Sequence, residues 1–324
     1  MKTPSPEVSS APEHSRRNFL LTAGSLAATA GAVSQAAGAA EAKTLPQVKF
    51  GKYSVSRLIC GTNPFNPVTH ISPMLDYEFR QYYTMDQIVK TLLRCQAEGI
   101  NTVHALTAPR YQAFVKAGGT MQVFQNGSGD PARIPAMIEN GAIGIQHYGV
   151  QTDTLYRQGK LSQAREYLKH VRDAGVLVGF ATHIPDVFDI VESAGWDVDY
   201  YMLCLYHWGR TPEDLEQLFG DKKDLLPVET YSYIVGDGWS EVFLNGDPPK
   251  MFKRIQQTRK PCLAYKILAA GRKCQTPGAV EDAFKDAFAN IKPTDAIIVG
   301  MYDRYVDQVA ANCGYVRKYG AVSA

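Results

Sequence analysis

Short apolar runs, too compact for helices and rich in Val, Ile, Tyr and Phe, alternate along the chain with longer amphipathic stretches. Runs of that length bounded by turn residues fit buried strands, and the longer stretches fit helices with one apolar face, so the alternation predicts repeated βα units. Eight strands are predicted, over residues 57–60, 101–105, 121–125, 142–147, 177–182, 200–206, 262–267 and 296–299. Helices are predicted over 85–98, 131–139, 162–174, 186–194, 249–258 and 280–289, with a weaker one near 111–117. Gly99, Gly141, Gly175 and Gly195 stand where a C-terminal glycine would end four of them. Eight such units close most simply into a (β/α)8 TIM barrel of the α/β class. The alternative, an open Rossmann-like sheet, should show G-x-G-x-x-G after its first strand, and that turn here reads Gly61-Thr62-Asn63-Pro64-Phe65-Asn66.

Two connections are longer than ordinary βα loops. Residues 63–84 follow the first strand. Residues 208–247 form an insertion after the sixth, with Tyr231, Tyr233 and Trp239 among its aromatics and Gly236 and Gly238 as hinge-capable positions; the segment reads as a lid.

The N-terminus changes the picture of where the protein works. Ser15-Arg16-Arg17-Asn18-Phe19-Leu20 precedes a weakly apolar stretch over 21–37 and then Ala40-Glu41-Ala42, a pattern similar to a bacterial twin-arginine (Tat) export signal over residues 1–42. The expectation is an exported, periplasmic protein, with the Tat translocase as a partner during export and one domain over 43–324. Gly24, Ser25 and Thr29 interrupt an apolar run already shorter than the ~20 residues a bilayer requires, so no stable membrane anchor is expected. Tat export carries folded proteins, often loaded with a cofactor. Residues 1–42 carry three basic residues (Lys2, Arg16, Arg17) and three acidic ones (Glu7, Glu13, Glu41), so the formal charge of +2 is unchanged by their removal. Such a near-neutral body argues against a nucleic-acid partner and leaves a small-molecule substrate. The six cysteines show no C-x-x-C spacing and read as buried thiols.

In a TIM barrel, chemistry sits at the C-terminal ends of the strands. Those ends present Thr62 and Asn63, His104, Gln125 and Asn126, His147, His183, His207 with Trp208, Lys266, and Tyr302 with Asp303. Four of the seven histidines fall on this rim.

Several segments resemble the aldo/keto reductase superfamily. Val48 through Thr62 is similar to that family's opening hairpin and first strand, Glu98-Gly99-Ile100-Asn101 to its entry into the second strand, and Val178-Gly179-Phe180-Ala181-Thr182-His183 to its fifth. Ala264-Tyr265-Lys266-Ile267-Leu268-Ala269-Ala270-Gly271 resembles the seventh, and Ile297-Ile298-Val299-Gly300 followed by Asn312 the cofactor-proximal eighth. The resemblance implies a carbonyl reductase whose Asp, Tyr, Lys and His tetrad handles the proton, with NADP or NAD as hydride donor. Carried over by position, it puts Tyr111 at the Tyr place, His147 at the His place and His104 or Leu106 at the Asp place. Gln125 and Asn126 stand where the Lys belongs, and Lys266 is the one rim lysine. Tyr111, His147, Lys266 and His104 are therefore the catalytic candidates; Asn63, Gln125, His183, His207 and Trp208 are expected to bind substrate, and Thr182, Gly300, Arg304 and Asn312 the cofactor. A tyrosine of ordinary pKa near 10 is a poor proton donor at neutral pH without a neighbouring cation, so the incomplete tetrad leaves ordinary carbonyl reduction open to question.

Two other readings stand beside an oxidoreductase acting on a small carbonyl or sugar-like substrate. His104, His147, His183 and His207 with Glu229 could hold a divalent metal for isomerase or lyase chemistry. A non-catalytic small-molecule-binding barrel would need the cleft but no matched acid and base. The aromatics Tyr206, Trp208, Tyr231, Tyr233, Trp239 and Tyr302 near the rim or lid suit packing or the ring face of a polyol.

Overall fold

A computed structural model describes residues 44–322, apart from 212, 215–216, 218–232 and 236–238. The export signal, Glu229, Tyr231 and the lid glycines Gly236 and Gly238 lie outside the described residues.

The chain opens with an antiparallel hairpin, β1 (Gln47–Phe50) and β2 (Tyr53–Ser56), in which Phe50 pairs with Tyr53 across a two-residue turn. Gly51 takes φ +54 at the first turn position, which primed hairpin turns require. The barrel follows: β3 (Leu58–Gly61), β4 (Thr102–His104), β5 (Gln122–Gly127), β6 (Ala142–His147), β7 (Leu177–Thr182) and β8 (Tyr200–Cys204). After a second hairpin, β9 (Tyr233–Val235) with β10 (Trp239–Glu241), come β11 (Cys262–Tyr265) and β12 (Ala296–Gly300). The eight strands pair in parallel in the order β11-β12-β3-β4-β5-β6-β7-β8, and β8 pairs back to β11, closing the barrel. The predicted TIM barrel is the observed fold, each strand lying within two residues of its predicted limits.

Ten helices are described: α1 (Pro73–Tyr82), α2 (Met85–Ala97), α3 (Ala108–Lys116), α4 (Ile134–Glu139), α5 (Gly149–Arg157), α6 (Ser162–Asp173), α7 (Pro185–Ser193), α8 (Asp247–Gln257), α9 (Pro277–Asn290) and α10 (Gln308–Tyr319). Gly99, Gly141, Gly175 and Gly195 all take positive φ just past helix ends, as their placement predicted. Three helices were not predicted. α1 lies inside the long 63–84 connection, α5 follows β6 directly, and α10 closes the chain.

The barrel interior alternates large and absent side chains. Phe50, Phe124 and Tyr200 stack with ring centroids 4.9 to 5.9 Å apart, so the N-terminal hairpin plugs the bottom of the barrel with an aromatic. Gly144 and Gly179 face this stack: a Cβ on Gly179 would lie 2.3 Å from Tyr200 Cζ, and one on Gly144 2.9 Å from Phe124 Cδ1. The two glycines are what let a tyrosine fill a lumen this narrow.

Candidate functional site

Above that stack a polar relay crosses the lumen. On β6, Gly144 faces inward, and the period of two along a strand puts Gln146 inward as well and His147 outward. The Tyr200 hydroxyl donates to Gln146 Oε1 at 2.6 Å. Gln146 Nε2 in turn donates to Asn126 Oδ1 at 2.7 Å and to His104 Nε2 at 2.9 Å. With Nε2 accepting, the His104 proton sits on Nδ1, and burial lowers its pKa to about 4, so it is neutral at neutral pH. His104 and Asn126 form the polar floor of a cleft of about 570 Å³ at the C-terminal end of the barrel.

One wall of the cleft is built by α5. This helix begins immediately after β6, and Tyr148, Gly149 and Val150 line the cavity. Its second turn carries Asp153, which is fully buried. The Asp153 carboxylate accepts from Thr182 Oγ1 at 2.5 Å, from the His183 backbone amide at 3.2 Å and from His183 Nδ1 at 2.6 Å. An acceptor-only partner at Nδ1 fixes the imidazole tautomer and leaves the Nε2 lone pair for the cleft. Tyr265 stands edge-on to the His183 ring at 5.6 Å, and Trp208 lies tilted over it at 4.7 Å. A Cβ at 149 would lie 3.1 Å from His183 Cε1, tighter than an ordinary contact, so the ring packs closely on this glycine.

The opposite wall comes from the end of β11 and the 63–84 connection. Lys266 lines the cleft, with its ammonium 5.8 Å from the Trp208 ring and 5.6 Å from that of Phe243. Asn63 bonds the His70 ring at 3.2 Å, and His70 meets Trp208 edge-on. Four non-glycine residues lining the cleft, His70, Ala105, Lys266 and Ala270, adopt left-handed φ between 51° and 61°. Each such conformation costs about 1 kcal/mol or more, and its concentration around one cavity is the usual mark of a functional region.

The structure brings six of the sequence candidates to this cleft: His104, Lys266, Asn63, His183, Trp208 and Gly300. It places the others elsewhere. Tyr111 packs on Gly141, at the start of β6 and thus at the far end of the barrel, because the helix that carries it runs away from the rim. His147 turns outward into the helix layer, where its Nδ1 bonds Thr152 Oγ1 at 2.7 Å and its ring meets Tyr167. Gln125 is occupied by the Leu106 carbonyl. His207, its pKa lowered to about 4 chiefly by burial, does not line the cleft. Of the cofactor candidates, Thr182 is tied to Asp153, Arg304 pairs with Glu78 under Tyr82 and Tyr305, and Asn312 is buried on α10. Gly300 alone reaches the cavity, so these four residues do not form a dinucleotide cradle. Nor do the four rim histidines converge: among the described residues no three His, Cys, Asp or Glu side chains come together to hold a metal ion.

No protein-family model and no curated protein sequence matches the chain. Among solved structures it is similar to a truncated 3-deoxy-D-arabino-heptulosonate 7-phosphate synthase from Thermotoga maritima, at 13% identity and TM-score 0.45 over 85% of this chain and 91% of that one. It is similar also to a glycerol dehydrogenase from Gluconobacter oxydans, an aldo/keto reductase, at 14% identity and TM-score 0.46 over 86% of this chain and 91% of that one. The likeness is one of fold alone.

Proposed function

We propose that this barrel is an acid–base enzyme acting on a small carbonyl or sugar-like substrate, with His183 as its base. The observation that carries the reading is the buried Asp153 carboxylate, which holds His183 Nδ1 at 2.6 Å and leaves Nε2 for the cleft. A base held in one tautomer beside a lysine suits removal of a proton next to a carbonyl: the Nε2 lone pair takes the proton, and Lys266 stabilises the negative charge that gathers on the carbonyl oxygen. Transfer of the substrate's hydroxyl proton to the former carbonyl oxygen, together with return of the proton from Nε2 to the former carbonyl carbon, completes an isomerisation without any redox partner. The neutral His104 and the Asn126 amide supply hydrogen bonds to substrate hydroxyls. Asp153 acts through His183 and is a positioning residue.

Proton exchange tests this directly. Small hydroxy-aldehydes and hydroxy-ketones incubated with the protein in D2O should gain deuterium at the carbon next to the carbonyl, followed by 1H NMR, and His183→Gln should slow that exchange by about 10²-fold or more. Exchange that is equally fast in His183→Gln overturns the assignment of the base. Turnover seen solely with NADPH or NADH favours the carbonyl-reductase reading instead, and binding without exchange favours a non-catalytic barrel. Export through the Tat route is proposed with it, supported by Arg16 and Arg17; a double Lys replacement there should keep the protein in the cytoplasm.

A further inference from the structure

The polar and apolar linings of the cleft belong to different sectors of the barrel. His104, Asn126, His183 and Lys266 stand at or just past the ends of β4, β5, β7 and β11. β12 and β3, which lie between β11 and β4, end instead in Gly300 and Gly61, paired in register, and a Cβ on Gly300 would lie 2.7 Å from Pro64 Cδ. The polar side chains that follow β3 along this wall are spent inside the protein: Thr62 Oγ1 donates to the Ala105 carbonyl at 3.0 Å, Asn66 Nδ2 donates to the Thr62 carbonyl at 3.1 Å, and Thr69 Oγ1 accepts from the Ile71 amide at 3.2 Å. The surface left for a ligand there is apolar, with Val68, Ile71, Leu75 and Phe79 from the 63–84 connection and Leu268 and Ile298 from the strand ends. Val68 is 41% exposed and Ile71 38%. Large apolar side chains left open together on one cavity, rather than scattered singly, mark a surface that a ligand covers. The wall is also held in place, since Arg272 donates to the His70 carbonyl at 3.0 Å and Ile71 packs on Gly271. A volume of about 570 Å³ falls within the ~300–1,000 Å³ of pockets for drug-sized ligands, more than a small carbonyl compound alone would fill.

We infer that the substrate carries an apolar arm, lying between the 63–84 connection and the ends of β12 and β3 while its carbonyl end sits by His183 and Lys266. The inference rests on the cleft being the substrate site, and it narrows the substrate from a small carbonyl or sugar-like compound to a hydroxy ketone with an alkyl arm. The direction of the arm follows from strand order: β11, which leads into Lys266, pairs with β12, so the apolar sector begins next to the lysine. A sugar bound this way would set hydroxyls against Leu75, Phe79 and Ile298, where each would lose its water without gaining a partner. A methylene in the same place gains from leaving water.

1-Hydroxypropan-2-one, 1-hydroxybutan-2-one and 1-hydroxyhexan-2-one serve as probes, since they share the hydroxymethyl ketone and differ in the arm. Dihydroxyacetone matches the second in size, with a hydroxyl in place of its terminal methyl. With the full chain in D2O, kcat/KM for exchange at the hydroxymethyl carbon should rise about three- to fourfold per added methylene, and so about 30-fold or more from the first probe to the third. Dihydroxyacetone should fall about tenfold or more below 1-hydroxybutan-2-one. Ile71→Asn, at a side chain open enough to change without disturbing the core, should shrink the ratio of the longest probe to the shortest by about threefold or more. Specificity that is level along the series in the unaltered protein, dihydroxyacetone equal to 1-hydroxybutan-2-one, or a ratio that Ile71→Asn leaves intact overturns the inference while His183 stays the base. Calorimetry with the same probes separates the opposite case: affinity that climbs with the arm in the absence of exchange supports the arm site and removes the base, and affinity indifferent to the arm overturns the inference whatever exchange shows.

Discussion

Replacing Asp153 by Asn tests the core of the site with almost no change in shape. The carboxylate accepts three hydrogen bonds, from Thr182 Oγ1, the His183 amide and His183 Nδ1, on two oxygens inside a fully buried pocket. An asparagine has one oxygen to offer and an NH2 group that can only donate. One oxygen of Asp153 serves Thr182 and the other serves both His183 donors. The amide therefore keeps its oxygen toward His183, and its NH2 donates to the Thr182 hydroxyl, which can accept it and turn its own proton to the Ile184 carbonyl at 3.4 Å. The tautomer survives, and what is lost is the carboxylate charge that stabilises the imidazolium formed when Nε2 takes a proton. The loss of charge-assisted hydrogen bonds should cost about 1.5–3 kcal/mol of stability, the scale for a bond to a charged group. Proton exchange should fall by about tenfold or more, since each ~1.4 kcal/mol of lost transition-state stabilisation is a factor of ten. Urea unfolding reads the first quantity and deuterium incorporation the second, and 15N NMR should find the imidazole still protonated at Nδ1. Exchange within about threefold of the parent, or an imidazole proton moved to Nε2, refutes the reasoning.

Two further outcomes follow from the same packing. His104 and His147 are both buried, with burial lowering each pKa from 6.5 to about 4. The unfolded chain therefore binds protons first as pH falls through 6.5, so the stability these neutral imidazoles permit is complete above that value and declines until about pH 4, by about 3 kcal/mol per group at ~1.36 kcal/mol per pH unit. A urea midpoint that is flat between pH 7 and 4.5 contradicts this. Gly179→Ala should destabilise the barrel by about 1–3 kcal/mol, since its Cβ would meet the Tyr200 ring at 2.3 Å, and should disturb the Tyr200 to Gln146 bond that orients His104. A change within about 0.5 kcal/mol would mean that the tyrosine moves aside freely.

The fold was legible because parallel strands buried on both faces write themselves as continuous apolar runs, and the glycines at 99, 141, 175 and 195 mark helix ends by the positive φ they alone adopt cheaply. The unpredicted helices have weaker signals. α5 carries Thr152, Asp153 and Thr154 in mid-helix, residues of modest helix propensity, and it forms because Asp153 and Thr152 spend their side chains on Thr182, His183 and His147 rather than on solvent. α1 begins at Pro73 after Ser72, whose hydroxyl accepts from the Leu75 amide; that cap was visible in the sequence but sat inside a segment too long to be read as one element.

The site divides along a sharper line. Residues at strand ends were found by position alone, which cannot say whether a side chain faces the lumen or the helices. His147 is the instructive case: Gly144 had to face inward to admit the Phe124 and Tyr200 rings, and two residues on, Gln146 inherits that direction while His147 takes the other. The alternation was present in the sequence, but its phase became visible when the aromatic stack was known. Asp153 lay further out of reach, because nothing in a nine-residue helix marks which of its polar residues turns inward to meet a strand end thirty positions later. The same separation gives the pair its use. His183 arrives on the rigid end of β7 and its partner on a helix pinned to β6 through His147 and Thr152, so the orientation of the base depends on the spacing of two adjacent strands, which the barrel holds fixed, rather than on either connecting loop.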